Sequence, residues 1–494
     1  MKKQVFNPYL PSYEYIPDGE PYVFNDRLYI FGSHDRFNGT RYCQNDYVAW
    51  STPVNDLSDW RYEGIIYETT QDPKNREQKR TMYAPDVTMG PDGRFYLYYT
   101  LDFRGRIAVA VCDTPVGKYE YLGEVKYQDG IAFGAKKEDK LPFDPAILVD
   151  DDDRIWLYSG FSPQSAMMNI ALKFFGSNAD GMGGCVMELE SDMLTIKTPP
   201  KLLIPGVKNG RNTDFEGHEF FEASSIRKVG NIYYFVYSSA LSHELCYATS
   251  DFPDKGFKYG GVIFSNGDIG FAGNDTPQNY WGNNHGSFVE INGKYYIFGH
   301  RPTNYHEFSR QGIAEEIKIT TDGKIEMVEM TSCGLNDGAL LGVGIYEARI
   351  ACCLMSKKGA CKSIPTSFMF GKKQKHPCFT QDGMDRENNP NQYIHNMTDG
   401  TVAGFKYFDL TTSDLTTPNL TTPKGIAIKT RGNGQGRMVV TEALNGVEIA
   451  SIDITTSTDW KEEASHLYVE PGIKPLYFTY HGTGTIDFLS FELK

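Results

Sequence analysis

Five stretches of the chain repeat one pattern, in which turn residues lead into a run that is apolar and aromatic at nearly every position. They are residues 25–32, 91–98, 152–158, 229–236 and 292–298. Asp-Gly and Asn-Gly flanked by apolar runs mark tight hairpin loops, so each stretch predicts a β-hairpin. With Tyr29, Tyr96, Trp156, Tyr234 and Tyr296 as anchors, the spacings are 67, 60, 78 and 62 residues. Such a period is too long for a helical solenoid and fits a four-stranded sheet with its loops. The expectation is an all-β chain, with a five-bladed β-propeller over residues 1–335. The repeat stops around residues 331–334, and from about residue 345 the pattern turns to short strands separated by Thr, Gly and Asn turns. Strands at 425–429, 437–440, 448–452 and 475–480 predict a β-sandwich of jelly-roll type over residues 336–494.

A second register lies upstream of the hairpins. Ten to twelve residues before the anchors stand Asp18, Asp86, Asp144, Glu222 and His285. In a propeller the strand before that hairpin is the innermost, so the five side chains should converge on the central channel. Wet channels carry polar residues for solvation alone, and a single Asp there would need no further account. Four carboxylates and a histidine in register point to chemistry. Hydrolysis of a glycosidic bond needs a carboxylic acid to protonate the leaving oxygen and a carboxylate to activate water. A further negative neighbour keeps the acid protonated at working pH.

Composition narrows the partners. Aromatic residues are 14% of the 494, with 49 Gly and 25 Pro, which favours strands and turns. A net charge of −14 repels phosphate backbones and argues against nucleic acid. No stretch approaches the ~20 apolar residues of a membrane span. Residues 1–8 lack the apolar core of a signal peptide, and the nine cysteines are scattered without a zinc-like pair. Both features set the expectation of a cytoplasmic protein with reduced thiols. The lysine-rich stretch 356–375 is expected to be a solvated loop.

At these residues, over roughly 7–335, the chain resembles glycoside hydrolase family 43, whose catalytic domain is a five-bladed propeller of inverting enzymes. The segment 16–24 running into Ser33-His34-Asp35 is similar to the family's general-base segment. Phe143-Asp144-Pro145-Ala146 resembles the segment of the pKa-modulating Asp, and residues 220–228 that of the general acid. The resemblance therefore implies Asp18 as base, Asp144 as modulator and Glu222 as acid. Where the family often has Gly-Pro or Ala-Pro after the acid, this chain has Ala223-Ser224. The resemblance implies a pocket-wall aromatic at Tyr83, a structural or sugar contact at Asp86, and substrate contacts at His34, Asp35 and Arg301. Trp281 is expected either in the pocket or packed in the core. His285 matches a family histidine that often holds water or a cation such as calcium, which the chemistry does not need. Residues 482–489 and 468–478 resemble family 6-like carbohydrate-binding modules, which often carry structural calcium, although no pair of exposed aromatics for a sugar is legible.

The function implied is an exo-acting hydrolase releasing pentose from plant cell-wall oligosaccharides, foremost an α-L-arabinofuranosidase on arabinoxylan fragments, alternatively a β-xylosidase. A non-catalytic sugar-binding propeller would require one of the three carboxylates to be lost. A retaining propeller hydrolase would use Asn-Asp-Pro where Pro17-Asp18-Gly19 stands.

Overall fold

A computed structural model describes residues 3–102, 104–164, 168, 170, 180–363, 376–387, 390–411 and 422–494. Lys372, Lys373 and Lys375 of the lysine-rich stretch lie outside the described residues.

Each predicted hairpin joins the first two strands of an antiparallel sheet. The first blade orders β1 (Glu20–Phe24), β2 (Arg27–Phe31), β3 (Tyr47–Pro53) and β4 (Arg61–Tyr67). The second runs from β5 (Asp86–Met89) through β6 (Phe95–Thr100) and β7 (Ile107–Cys112) to β8 (Glu120–Glu124). The third comprises β9 (Ala146–Val149), β10 (Ile155–Ser159), β11 (Gly183–Leu189) and β12 (Ile196–Pro205). The fourth holds β13 (Phe220–Val229), β14 (Ile232–Ser239), β15 (Glu244–Ser250) and β16 (Lys258–Ser265). The fifth has three strands, β17 (Phe288–Ile291), β18 (Lys294–Thr303) and β19 (His306–Ile317). The turn chemistry is the one foreseen: Asn25 and Asp26, and likewise Asn292 and Gly293, all take positive φ, as a two-residue hairpin loop of the primed type requires.

The propeller closes by packing. Every adjacent pair of blades shares a buried apolar layer, and the last of these joins Leu28, Ile30 and Trp50 of the first blade to Tyr296, Phe298 and Ala314 of the fifth. The residues before the first blade seal this joint with Val5, Tyr9 and Leu10. Asn7 stands in for a missing strand there. Its side-chain oxygen accepts the Ala314 N–H at 3.0 Å, and its Nδ2 donates to the Ala314 carbonyl at 2.9 Å.

Two further sheets follow. One orders β20 (Leu340–Leu341), β25 (Thr401–Asp409), β30 (Ile473–Thr483), β27 (Gln435–Thr441) and β28 (Glu448–Ile454), with β22 (Cys353–Met355) beside β25. The other orders β23 (Cys378–Gln381), β24 (Gln392–Met397), β31 (Ile486–Leu493), β26 (Gly425–Gly432) and β29 (Ser457–His466), with β21 (Gly344–Glu347) beside β31. Their inner faces interleave Phe405, Phe408, Phe478, Phe488 and Phe491 in one core. The sandwich is continuous with the propeller, because Cys352, Cys353, Met355, Val402 and Tyr477 share a buried cluster with blades four and five.

The start of the lysine-rich stretch differs from a free solvated loop. Lys362 lies over the Trp281 ring at 4.9 Å, and the backbone of 361–363 brackets Trp281 through two hydrogen bonds. The sandwich also holds an aromatic pair that strand separation hid in the sequence. Tyr393 and Trp460 meet at 5.3 Å, and Arg431, tied to Asp382 and Asp487, lies over both rings. The chain's own guanidinium therefore occupies one face of each ring. Among the described residues, no helix is long and apolar enough to cross a membrane.

Candidate active site

The five register positions stand at the heads of the innermost strands. Asp18 and Asp144 each precede their strand by two residues and take left-handed φ of 56° and 44°. Asp tolerates that region better than most residues because its short polar side chain bonds locally. Glu222 is aimed differently: the pairing of β13 with β14 slips on both sides of it, and Ala223 takes φ 67°. Such a bulge bends the strand and re-aims a side chain.

His285 is the hub. Its Nδ1 lies 3.6 Å from Asp144 Oδ2 and 3.9 Å from Asp18 Oδ1, and its Nε2 lies 4.0 Å from Glu20 Oε1. Burial pushes the ring's pKa down to about 4, so it is a neutral imidazole at pH 7. Asp18 Oδ1 accepts from Arg310 Nη1 at 3.0 Å, and Asp144 Oδ2 accepts the Ala223 N–H at 3.0 Å. Burial by itself would raise the Asp18 carboxyl, but Arg310, His300, His285 and a hydrogen bond from Ser33 together outweigh it and hold the group below its ordinary value. Glu222 moves the other way, to about 8, through burial and then the Asp18 charge. Asp144 is also raised, by burial and then by Glu222 and Asp18. One channel thus holds an ionised carboxylate and a protonated carboxyl at neutral pH, the two states that acid–base hydrolysis of an acetal requires. Phe143, Phe161 and Phe221 with Tyr83 form an apolar wall around Asp144 and Glu222.

The sequence profile of glycosyl hydrolases family 43 matches residues 18–325. The chain belongs to glycoside hydrolase family 43. It is 49% identical to a xylosidase/arabinosidase of Thermoclostridium stercorarium over 496 residues, covering 100% of this chain and 99% of the relative. A Bacteroides ovatus xylosidase/arabinosidase is 28% identical over 344 residues, covering 65% of this chain and 97% of its own length. Among solved structures, a family 43 β-xylosidase/α-arabinofuranosidase from a compost metagenome is 26% identical with a TM-score of 0.50, over 64% of this chain and 94% of that one. An arabinoxylan arabinofuranohydrolase from Bacillus subtilis, 17% identical with a TM-score of 0.50, shares the fold over 99% of this chain and 97% of its own.

Within this family 43 propeller the other expected residues divide. Asp35 reaches the site indirectly: it forms a two-pronged pair with Arg310, at 2.9 Å to Nε and 3.0 Å to Nη2. Asp86 sits in a deeper layer, where it accepts from Tyr22 Oη at 2.7 Å and from the Ile147 N–H at 2.8 Å, stapling blade two to blade three. His34 is held by other partners, with Nδ1 donating to the Asp46 carbonyl at 2.8 Å and Nε2 accepting from Arg386 at 3.0 Å. Trp281 packs edge-on to His243 at 5.2 Å under Lys362.

Arg301 is not brought to the base. It is buried between propeller and sandwich, donating to the Arg349 and Ala351 carbonyls at 2.7 and 3.0 Å and lying 3.9 Å from the Phe379 ring centre. The arginine at Asp18 is Arg310. Arg301 pairs directly with Gln311 across β18 and β19, so Arg310, one residue earlier, faces the opposite side. Asn283, His300, Tyr42 and Glu307 also escaped the sequence reading. Asn283 and His300 lie two residues before His285 and one before Arg301, but only the folded channel shows where they point.

Two groups could hold an ion. Glu20 Oε1 is buried without a hydrogen-bond partner 4.0 Å from His285 Nε2. On blade four His218, Glu244 and Cys246 also cluster, but Glu244 already accepts from His218 and Ser239, both at 2.6 Å.

Proposed function

We propose that this chain is an inverting, exo-acting glycosidase that removes terminal pentose from arabinoxylan-derived oligosaccharides, with Asp18 as base, Glu222 as acid and Asp144 as modulator. The observation that carries the reading is the convergence of Asp18, Asp144 and Glu222 on one buried channel, with Asp18 paired to Arg310 at 3.0 Å and Asp144 and Asp18 both beside His285. Glu222 gives its proton to the glycosidic oxygen while Asp18 accepts one from the water that attacks the anomeric carbon. Arg310 keeps the base ionised, and the apolar wall limits competing water. α-L-Arabinofuranosidase is the foremost activity. β-Xylosidase is the second reading, favoured by the paired names of the relatives.

Propeller residues 1–335 carry the chemistry in this reading, and residues 336–494 buttress it. Nine free thiols among the described residues support a cytoplasmic setting. Calcium is the finer part of the proposal: His285 and the unpartnered Glu20 oxygen would hold the ion through water, where it would add positive charge to the channel floor. Metal analysis of the purified protein before and after chelation tests it.

The enzymatic test is initial-rate hydrolysis of 4-nitrophenyl α-L-arabinofuranoside and β-D-xylopyranoside, with the anomer of the released sugar followed by NMR. Turnover of at least one with net inversion is expected. Inactivity on both would remove the exo-pentosidase reading, and net retention would remove Asp18 as base.

A further inference from the structure

Asn283 joins the two halves of this machinery. Its Oδ1 accepts from Arg310 Nη1 at 2.8 Å and from His300 Nε2 at 2.9 Å, while its Nδ2 donates to Glu222 Oε1 at 3.0 Å. Arg310 can only donate, so the amide oxygen faces it, and His300 Nε2, which shares that oxygen, carries the ring hydrogen. Nδ1 then accepts the backbone N–H of Asp18 at 3.3 Å, and it also stands 3.3 Å from Asp18 Oδ1. The ring is fully buried, and burial together with Arg310 pushes its pKa down to about 3, which keeps it neutral. Turning the amide over would set its NH₂ against two donors and leave both unmet. The orientation of Asn283 is therefore held by the same arginine and the same strand start that hold the base.

That orientation decides where the acid keeps its proton. A neutral carboxyl has one acceptor oxygen and one hydroxyl. With Oε1 receiving an amide hydrogen, the hydroxyl is Oε2. The reversed amide would present an oxygen to Glu222, accept the acidic hydrogen and sequester it. We propose that Asn283 is a positioning residue that fixes the transferable proton on Glu222 Oε2. The inference rests on Glu222 being the acid. In the step itself the Glu222 Oε2–H bond breaks, and a new O–H bond forms on the glycosidic oxygen. The carbon–oxygen bond breaks with its electron pair left on that oxygen. Water adds to the anomeric carbon and passes its proton to Asp18.

The test is kcat/KM of Asn283→Ala and Asn283→Asp on the methyl, 4-nitrophenyl and 2,4-dinitrophenyl glycosides of the pentose that wild type cleaves. Each variant should lose about 100-fold on the methyl glycoside, within the range general-acid catalysis contributes. The loss should shrink as the leaving group becomes more acidic. The Asn283 hydrogen bond favours the ionised carboxyl, so its removal in the alanine variant should move the alkaline limb of the pH profile upward. The aspartate variant is nearly isosteric and keeps an acceptor for Arg310, so it carries the test if the alanine variant fails to fold. Equal losses across the three substrates, or no loss on the methyl glycoside, would overturn the proposal. A wild type inactive on all three would instead remove the glycosidase reading. A Glu222→Ala variant without leaving-group dependence would remove the acid assignment alone.

Discussion

At the scale of single residues the channel separates two carboxyl groups by their surroundings. Asp18 meets a guanidinium that is held by Asp35, whereas Glu222 meets burial and negative neighbours. Activity needs Asp18 ionised and Glu222 protonated. The rate should therefore rise as pH climbs past the depressed Asp18 value and fall as it passes about 8. A bell-shaped kcat/KM profile with its acid limb below the ordinary aspartate range and its alkaline limb near 8 is expected. Replacing Arg310 by Met removes the guanidinium from Asp18 and should move the acid limb upward; an unmoved limb would show that Arg310 does not set the base. The register of Asp18, Asp144, Glu222 and His285 was legible because each occupies the same place in a repeat. Arg310 and Asn283 were not, since neither belongs to the repeat and their roles come from neighbours on other strands.

At the scale of elements, strands met the expectation because aromatic runs and Asn-Gly turns act locally. What one strand lends to another was hidden. Arg301 sits in a segment similar to one that carries a substrate-contacting arginine, yet here it joins β18 to the backbone of 349–351 and to Phe379 in β23. Burial pushes its pKa down to about 9, and its hydrogen bonds to carbonyls are what make the buried cation tolerable. Arg301→Met leaves those carbonyls without a donor and should lower stability by about 1–3 kcal/mol. Denaturant unfolding measures this. A loss of activity without loss of stability would return Arg301 to the substrate site. The lysine-rich stretch taught the same lesson in reverse, since residues 361–363 brace Trp281 while Lys357 stays exposed beside Asp399.

At the scale of the whole molecule the propeller and the sandwich share a core. Met355, Val402 and Tyr477 pack against blades four and five, and the first blade leans on Arg386 and Asp385 through Glu14, Phe37 and Asn45. A chain ending at residue 335 would expose that layer, so it should aggregate or unfold, and the intact protein should melt in one calorimetric transition. Two resolved transitions with an active 335-residue fragment would show the halves to be independent. The sequence by itself determined the all-β class, the five-fold repeat, the following sandwich and the ring of ionisable residues, because hairpins and strand alternation depend on near neighbours. Only the tertiary structure decided which arginine meets the base, which amide faces the acid, and that Arg431 covers the sandwich's aromatic pair. Those outcomes depend on pairs more than 20 residues apart in the chain, Asp18 with Arg310 above all. Local pattern carries no record of which side chains closure of the ring brings together.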